Sequence, residues 1–327
     1  MDSKLNFTKH INEKVTIARK WIGVIKHVSK YLPLKSLDQI YKMNVRPHLD
    51  YCDVIFHVPV ATDDFDSSLS LNYQMNILEK TQYQAALAVS GCWKGTNTDK
   101  IYEELGWESL DQRRFFRRLV MFYKIINDLT PEYLKQPLPK SQCRTRSTDV
   151  NFIPYRTDRH SNSFYPNSIL SWNNIGAELR NAKSIAIFKR NLLNIIRPAK
   201  KSIYNIHDTG IKWIFQLRVE LSHLRAHKKR HNFADTPTDI CKCLKSPETT
   251  QHFILECSLF DFHRSSINKL LENILFTRME NMSSAEKVHL LLYGDESFNI
   301  DENRNILTET IKFIRKTGRF SGERNDI

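Results

Sequence analysis

Ile11, Val15, Ala18, Ile22, Ile25 and Val28 recur at steps of three and four residues, which places them on one face of an α-helix. Pro33 closes that helix, and Ser36 can cap a second one running to about Val45, before Pro47. The polar stretch HVPVATDDFDSS, residues 57–68, reads as a loop. Leu71, Met75, Leu78 and Ala85 then resume the helical period as far as Gly91. In GTNTDKIYEELGW, Asn97 or Thr98 caps a short helix. From Ser109 to Asn127, Phe115, Leu119, Phe122, Ile125 and Ile126 form an apolar stripe, interleaved with Arg113, Arg114, Arg117 and Arg118. This helix is expected to carry one apolar and one cationic face, the latter either simply solvated or in contact with phosphates.

Residues 131–167 differ, with prolines at 131, 137, 139, 154 and 166 and the basic segments RTRS and YRTDRHS, which indicate extended backbone. Helical spacing returns over 168–197 and stops at Pro198, and AKKS after it reads as a hinge. A helix is expected over 211–230, where Lys212, Arg218, Arg225, Lys228, Lys229 and Arg230 face a single Glu220. His223, His227 and His231 would stack on one face of it, as metal ligands or as a wet, phosphate-facing surface. Further helices are expected over 261–280, 283–292 and 301–316. The fold class is therefore mainly α, divided into a thumb-like helical segment 1–62, a connecting region 63–200 and a small helical C-terminal domain 201–327.

Only nine glycines in 327 residues leave few tight turns and favour helix. Lys plus Arg outnumber Asp plus Glu by 49 to 36, a net charge of +13. Such an excess points to a polyanionic partner, nucleic acid first and an anionic membrane surface second. No apolar run reaches the roughly 18–20 residues that cross a bilayer, and the polar N-terminus lacks the core of a signal peptide. Scattered Cys52, Cys92 and Cys143 show no disulfide framework. An intracellular location, nucleus or cytoplasm, is expected, without secretion.

The other three cysteines crowd into ICKCLKSPETTQHFILEC, residues 240–257. Cys241, Cys243, His252 and Cys257 follow a C-x-C-x8-H-x4-C spacing. Zinc takes four soft or borderline donors in a tetrahedron, which three thiolates and an imidazole supply. The C-x-C half is tighter than the usual C-x2-C, and the alternative is three buried thiols beside a surface histidine.

Several segments resemble, in order, the C-terminal part of a reverse transcriptase from a non-LTR retrotransposon of the jockey-like or chicken-repeat-like kind. They are DSKLNFTKHINEKV, YKMNVRPHLDYCDVIF, LEKTQYQAALAVSG, LGWESLDQRRFFRRLVMFYKIIN, SFYPNSILSWNNI, LRVELSHLRAHKKRHNFADT and the ICKC…TTQHFILEC cluster, together spanning about residues 1–260. The resemblance implies a polymerase thumb, a connecting region and a zinc-knuckle-like clip ligated by Cys241, Cys243, His252 and Cys257, with RNA or DNA and the missing palm as partners. One departure is Leu244, where relatives often carry glycine.

Two-metal polymerisation needs paired carboxylates. The one adjacent pair of aspartates, Asp63–Asp64, follows Ala61 and Thr62 rather than an aromatic residue and reads as solvated loop. No Pro-Asp dipeptide marks a restriction-like endonuclease. The chain is therefore not expected to be an enzyme by itself, nor to hold catalytic magnesium. It is expected to bind polynucleotide through Arg113, Arg114, Arg117, Arg118, Arg225, Lys228, Lys229 and Arg230, with Trp213 and Phe233 as stacking candidates that core packing competes for. The alternative is a non-catalytic structural or protein-interaction module whose basic charge is incidental. As a thumb without its palm, it would leave Trp21, Ile25 and Val28 partly exposed.

Overall fold

The computed structural model describes residues 7–56, 69–135, 137–138, 150–196, 206, 208–278 and 282–320. Among these the chain is mainly helical, with no β-strand and an isolated antiparallel bridge between Ile240 and Pro247. It forms two units, each drawn from three separated stretches, where the hydrophobic pattern suggested consecutive segments. One comprises Met1–Ile22, Lys42–Gln84 and Gly106–Lys200; the other comprises Gly23–Tyr41, Ala85–Leu105 and Lys201–Ile327.

The core of the first unit gathers on the helix Leu110–Ile126, which a Ser109–Gln112 capping box starts. Leu119, Phe122 and Tyr123 pack with Ile169 and Trp172 of Phe164–Asn174 and with Phe188 and Leu192 of Ile185–Ile196. Tyr123 stacks on Phe188 at 4.5 Å between ring centroids, and Phe122 meets Trp172 edge-on at 5.6 Å. In the second unit, Phe253 lies 5.4 Å from Phe313 and 5.6 Å from Phe320. Arg218 there is buried, bonded to Glu104 and to the Leu292 carbonyl at 2.9 Å through Nε.

Several expected elements appear with shifted limits. The first helix spans Thr8–Val28 and buries Ile11, Val15, Ala18, Ile22 and Ile25. Trp21 is exposed along with Ile17 and Val24, whereas Ile25 is fully buried, contrary to the exposure expected for a bare thumb. Helical structure continues past Pro47 to Asp50: a π-turn spans Tyr41–Val45, and Pro47 lies in the first turn of Arg46–Asp50, where a missing N–H is tolerated. Asn97 is the cap of Thr98–Leu105, its Oδ1 accepting from the Asp99 N–H at 2.9 Å. The helical run over 168–197 is three helices, with breaks at Ile175–Gly176 and Asn181–Ser184. The run over 261–280 begins as 3-10 turns and becomes α-helix only at Ser265–Arg278. The loop 57–68 with Asp63–Asp64, the RTRS segment and the AKKS hinge lie outside the described residues.

Glycine scarcity is met by polar residues in the left-handed conformation. At Glu220 (φ +55) the N–H donates to the Leu217 carbonyl at 3.2 Å, and the next N–H, of Leu221, reaches the Gln216 carbonyl at 3.1 Å. These are the paired bonds that close a helix end, usually around glycine. Asp128 and Asn232 end their helices with the same pair. The Glu220 closure splits the helix expected over 211–230 into Ile211–Arg218 and Arg225–Arg230.

Candidate metal centre and its basic neighbour

The segment 240–248 folds back on itself around a tight turn. The Ile240–Pro247 bridge sets its base, and the Cys241 N–H donates to the Ser246 carbonyl at 2.9 Å. At the tip, the Leu244 N–H donates to the Cys241 carbonyl at 2.9 Å, with Leu244 at φ +65. The Thr249 hydroxyl then accepts from the His252 N–H at 3.1 Å, starting the helical turn that carries the histidine.

In a regular α-helix, residues five apart point roughly 140° away from each other, which would separate His252 from Cys257. The chain winds instead as a π-turn over His252–Glu256, and the Cys257 N–H bonds the His252 carbonyl at 2.7 Å. The wider turn brings both ligands to the same side, while Phe253 and Ile254 are buried beneath it.

The ligand atoms of Cys241, Cys243, His252 and Cys257 all lie within 4.8 Å of one another, so the cluster can hold a metal ion. Cys241 Sγ and Cys257 Sγ are 3.6 Å apart, and Cys243 Sγ is 3.2 Å from His252 Nε2. A tetrahedral ion with metal–sulfur bonds of about 2.3 Å would place sulfurs about 3.8 Å apart, close to the 3.6 Å of the Cys241–Cys257 pair. Ser246 Oγ sits 2.7 Å from His252 Nδ1. With Nδ1–H donating there, Nε2 presents its lone pair to the centre.

Each sulfur also receives a backbone N–H from two residues further on: Cys243 for Cys241, Lys245 for Cys243 and Leu259 for Cys257. The Lys245 amide leads in pulling the Cys243 thiol down to about 7. Burial dominates at the other two, pushing Cys241 up to about 12 and raising Cys257. The amides stabilise thiolate, and a cation would replace the protons that burial retains.

Glu248 ties this clip to the basic helix. Buried to 2 % exposure, it accepts from the Arg225 N–H at 2.7 Å and from Arg319 Nε and Nη2 at 2.8 and 2.7 Å. Arg225 Nη1 in turn donates to the Ile240 carbonyl at 2.8 Å, so its side chain faces the clip rather than solvent. Lys228 pairs with Asp235 at 2.6 Å and Arg230 pairs with Glu220, while Lys229 is exposed. Lys228 Nζ also lies 5.8 Å from the Phe233 ring centroid and 6.0 Å from that of Trp93. Trp213 packs against Phe320, with Arg315 over its ring.

The expected stack of three histidines is not present. His223 precedes the second helix, His231 is exposed at its end, and His227 is buried between Ser222 Oγ at 2.8 Å from Nδ1 and Thr250 Oγ1 at 3.3 Å from Nε2. Burial leads in holding both His223 and His227 down at about 4.

The solvent-facing cationic face expected on Leu110–Ile126 is also corrected. Arg113, Arg114 and Arg118 are buried. Arg113 bonds Asp50 and, at 3.1 Å, Gln82; Arg118 bonds Asn167. Arg117 spans Asp50 at 2.6 Å and Asp53 at 2.8 Å. Burial lowers Arg114 and holds Arg118 down at about 10, and it raises Asp53. Arg113 and Arg117 thus neutralise the carboxylates of the RPHLDYCD segment, and the buried Arg113, Arg114 and Arg118 do not face solvent. Sequence reasoning overlooked Ser246 and Glu248, since a serine and a glutamate in a loop carry no spacing signal. Comparison with protein-family models, curated proteins and solved structures finds no match to this chain.

Proposed function

We propose that this chain binds nucleic acid and that Cys241, Cys243, His252 and Cys257 hold a structural zinc ion that fixes the basic surface beside them. The observation that carries this reading is the coupling of the four-ligand cluster, through Glu248 and the Ile240 carbonyl, to the helix Arg225–Arg230. Three thiolates and an imidazole are a donor set that zinc prefers over magnesium or calcium, which take oxygen ligands. When bound, zinc would cross-link the 241–243 turn to the 252–257 turn. Phosphate contacts then fall to Lys229 and Arg230, with Lys242 and Lys245 on the clip, all of them exposed. The ordered resemblance to the C-terminal part of a non-LTR retrotransposon polymerase supports the same partner class, and under it the palm of such a polymerase is a second partner.

The test is zinc content of the purified full chain by mass spectrometry, beside a Cys241→Ser, Cys257→Ser double variant, with RNA and DNA titrations of both. One equivalent of zinc in the parent, none in the variant and weaker salt-sensitive binding by the variant are expected. A folded, metal-free parent, or equal binding by parent and variant, overturns the reading. A protein-interaction module remains the second reading, favoured by the exposed row of Ile17, Trp21 and Val24 on the helix Thr8–Val28. It predicts nucleic-acid binding that is equally weak for every polyanion.

A further inference from the structure

Cys241 and Cys257 meet sulfur to sulfur at 3.6 Å, in non-bonded contact, and both are buried. Cys243 differs: it is only half-buried, and its sulfur lies within 4.8 Å of the other two. An oxidant in solvent therefore reaches the cluster through Cys243. The buried pair is placed to take up the result. A disulfide is neutral and apolar, so it suits their interior position, while Cys243 keeps its access to water. The two buried thiols also stand on the two turns that an ion would join, 241–243 and 252–257. Closing 3.6 Å to the roughly 2.05 Å of an S–S bond would make the same cross-link. The backbone bonds that shape those turns, from the Cys241 N–H to the Ser246 carbonyl at 2.9 Å and from the Cys257 N–H to the His252 carbonyl at 2.7 Å, need no metal.

We propose that Cys241 and Cys257 are a redox pair that takes over from the metal: a hydroperoxide entering at Cys243 expels the ion and leaves a buried Cys241–Cys257 disulfide in its place. This rests on the zinc reading above and adds a form of the clip that holds without metal. The Cys243 sulfur first attacks the peroxide; an S–O bond forms as the O–O bond breaks, and the departing hydroxide leaves as water with a proton from solvent. The Cys257 sulfur then displaces the hydroxyl from Cys243, which leaves as a second water with a second proton. Cys241 finally attacks Cys257, and Cys243 departs as thiolate. Two thiolates have lost two electrons to one peroxide. With two of its four ligands bonded to each other, the ion is released.

The experiment uses the full chain with Cys52→Ser and Cys143→Ser throughout, so that peroxide meets no thiol outside the cluster except buried Cys92. It is prepared reduced, either loaded with zinc or stripped by a chelator, and treated with hydrogen peroxide. Zinc release is read with a chromogenic chelator, and disulfides are mapped by peptide mass spectrometry without reduction. About one zinc should be released per peroxide consumed, with Cys241 linked to Cys257 and Cys243 still open to alkylation. The oxidised, metal-free chain should melt close to the zinc-loaded chain and well above the stripped, reduced one. In stripped chain, Cys243→Ser should reach the same disulfide about tenfold more slowly, and Cys241→Ser should stop at a Cys243–Cys257 disulfide. A parent whose product retains Cys243 in the disulfide, an unchanged rate in Cys243→Ser, or an oxidised chain that melts with the stripped one overturns the proposal. A parent that takes up no zinc overturns the reading on which the exchange rests, a result distinct from a zinc-loaded parent that yields no Cys241–Cys257 disulfide.

Discussion

Replacing Glu248 by alanine removes the acceptor that joins three parts of the second unit. The lost contacts are one bond from the Arg225 N–H at the start of a helix and two from the Arg319 guanidinium, all at 2.7–2.8 Å. Deleting one partner of a buried ion pair costs about 3–5 kcal/mol, because the other charge stays desolvated without compensation. The Arg319 side chain is 24 % exposed, so water recovers part of its solvation, which places the loss at the lower end, about 3 kcal/mol. Glu248→Gln keeps a carbonyl acceptor for the Arg225 N–H and loses mainly the charge, for a cost of about 1–2 kcal/mol. Urea denaturation of the full chain measures both. The midpoint should fall in the order parent, glutamine, alanine, with the slope unchanged. A loss below about 1 kcal/mol in Glu248→Ala refutes the assignment of Glu248 as the junction of clip, helix and Arg319.

Two further outcomes follow from the buried titratable groups. His227 is held down at about 4 against 6.5 for the free side chain, so between those values the unfolded chain binds the extra proton. The stability that neutral His227 contributes is complete above about pH 6.5 and is lost as pH falls toward 4; denaturation of the parent and His227→Gln should show a shallower acid decline in the variant, and equal declines would refute this. In alkylation followed by mass spectrometry, among the described cysteines exposed Cys52 should react first, and Cys92, buried with its thiol pushed up to about 12, only on unfolding. A chelator should then open the three clip cysteines with Cys243 leading, and their rapid labelling in the metal-loaded chain would contradict the ligand assignment.

Where one residue type repeats at one period, the sequence was legible. Thr8–Val28 and Ile300–Lys316 could be read from their apolar spacing, since burial of a single stripe is what holds such helices in place. The cluster able to hold a metal was readable from side-chain type alone, because few other arrangements gather three thiols and an imidazole in eighteen residues. What made their spacing workable was not: the π-turn at His252–Glu256 is a backbone choice that leaves no residue signature. The break at Glu220 was hidden for a related reason, as glutamate does the work by which glycine usually announces a helix end. The four arginines of Leu110–Ile126 misled because a helical wheel shows a face but not what covers it. Asp50 and Asp53 lie some sixty positions earlier in the chain, and only tertiary structure brings them to Arg113 and Arg117.

The unit that holds the clip is assembled from Gly23–Tyr41, Ala85–Leu105 and Lys201–Ile327, which has a consequence at the ribosome. Its first two stretches emerge early, and their partners are still to be made. After Leu105, a further 327 − 105 = 222 residues must be translated, which takes roughly 10–40 s at ordinary elongation rates. Throughout that interval Ile101, Tyr102 and Leu105, all buried in the finished fold, have no completed core to enter. Nascent chains of this protein are therefore natural clients for chaperones that shield apolar segments during synthesis. A premature stop anywhere before the clip strands those segments permanently, so truncated products should be cleared by proteolysis rather than accumulate as stable half-proteins.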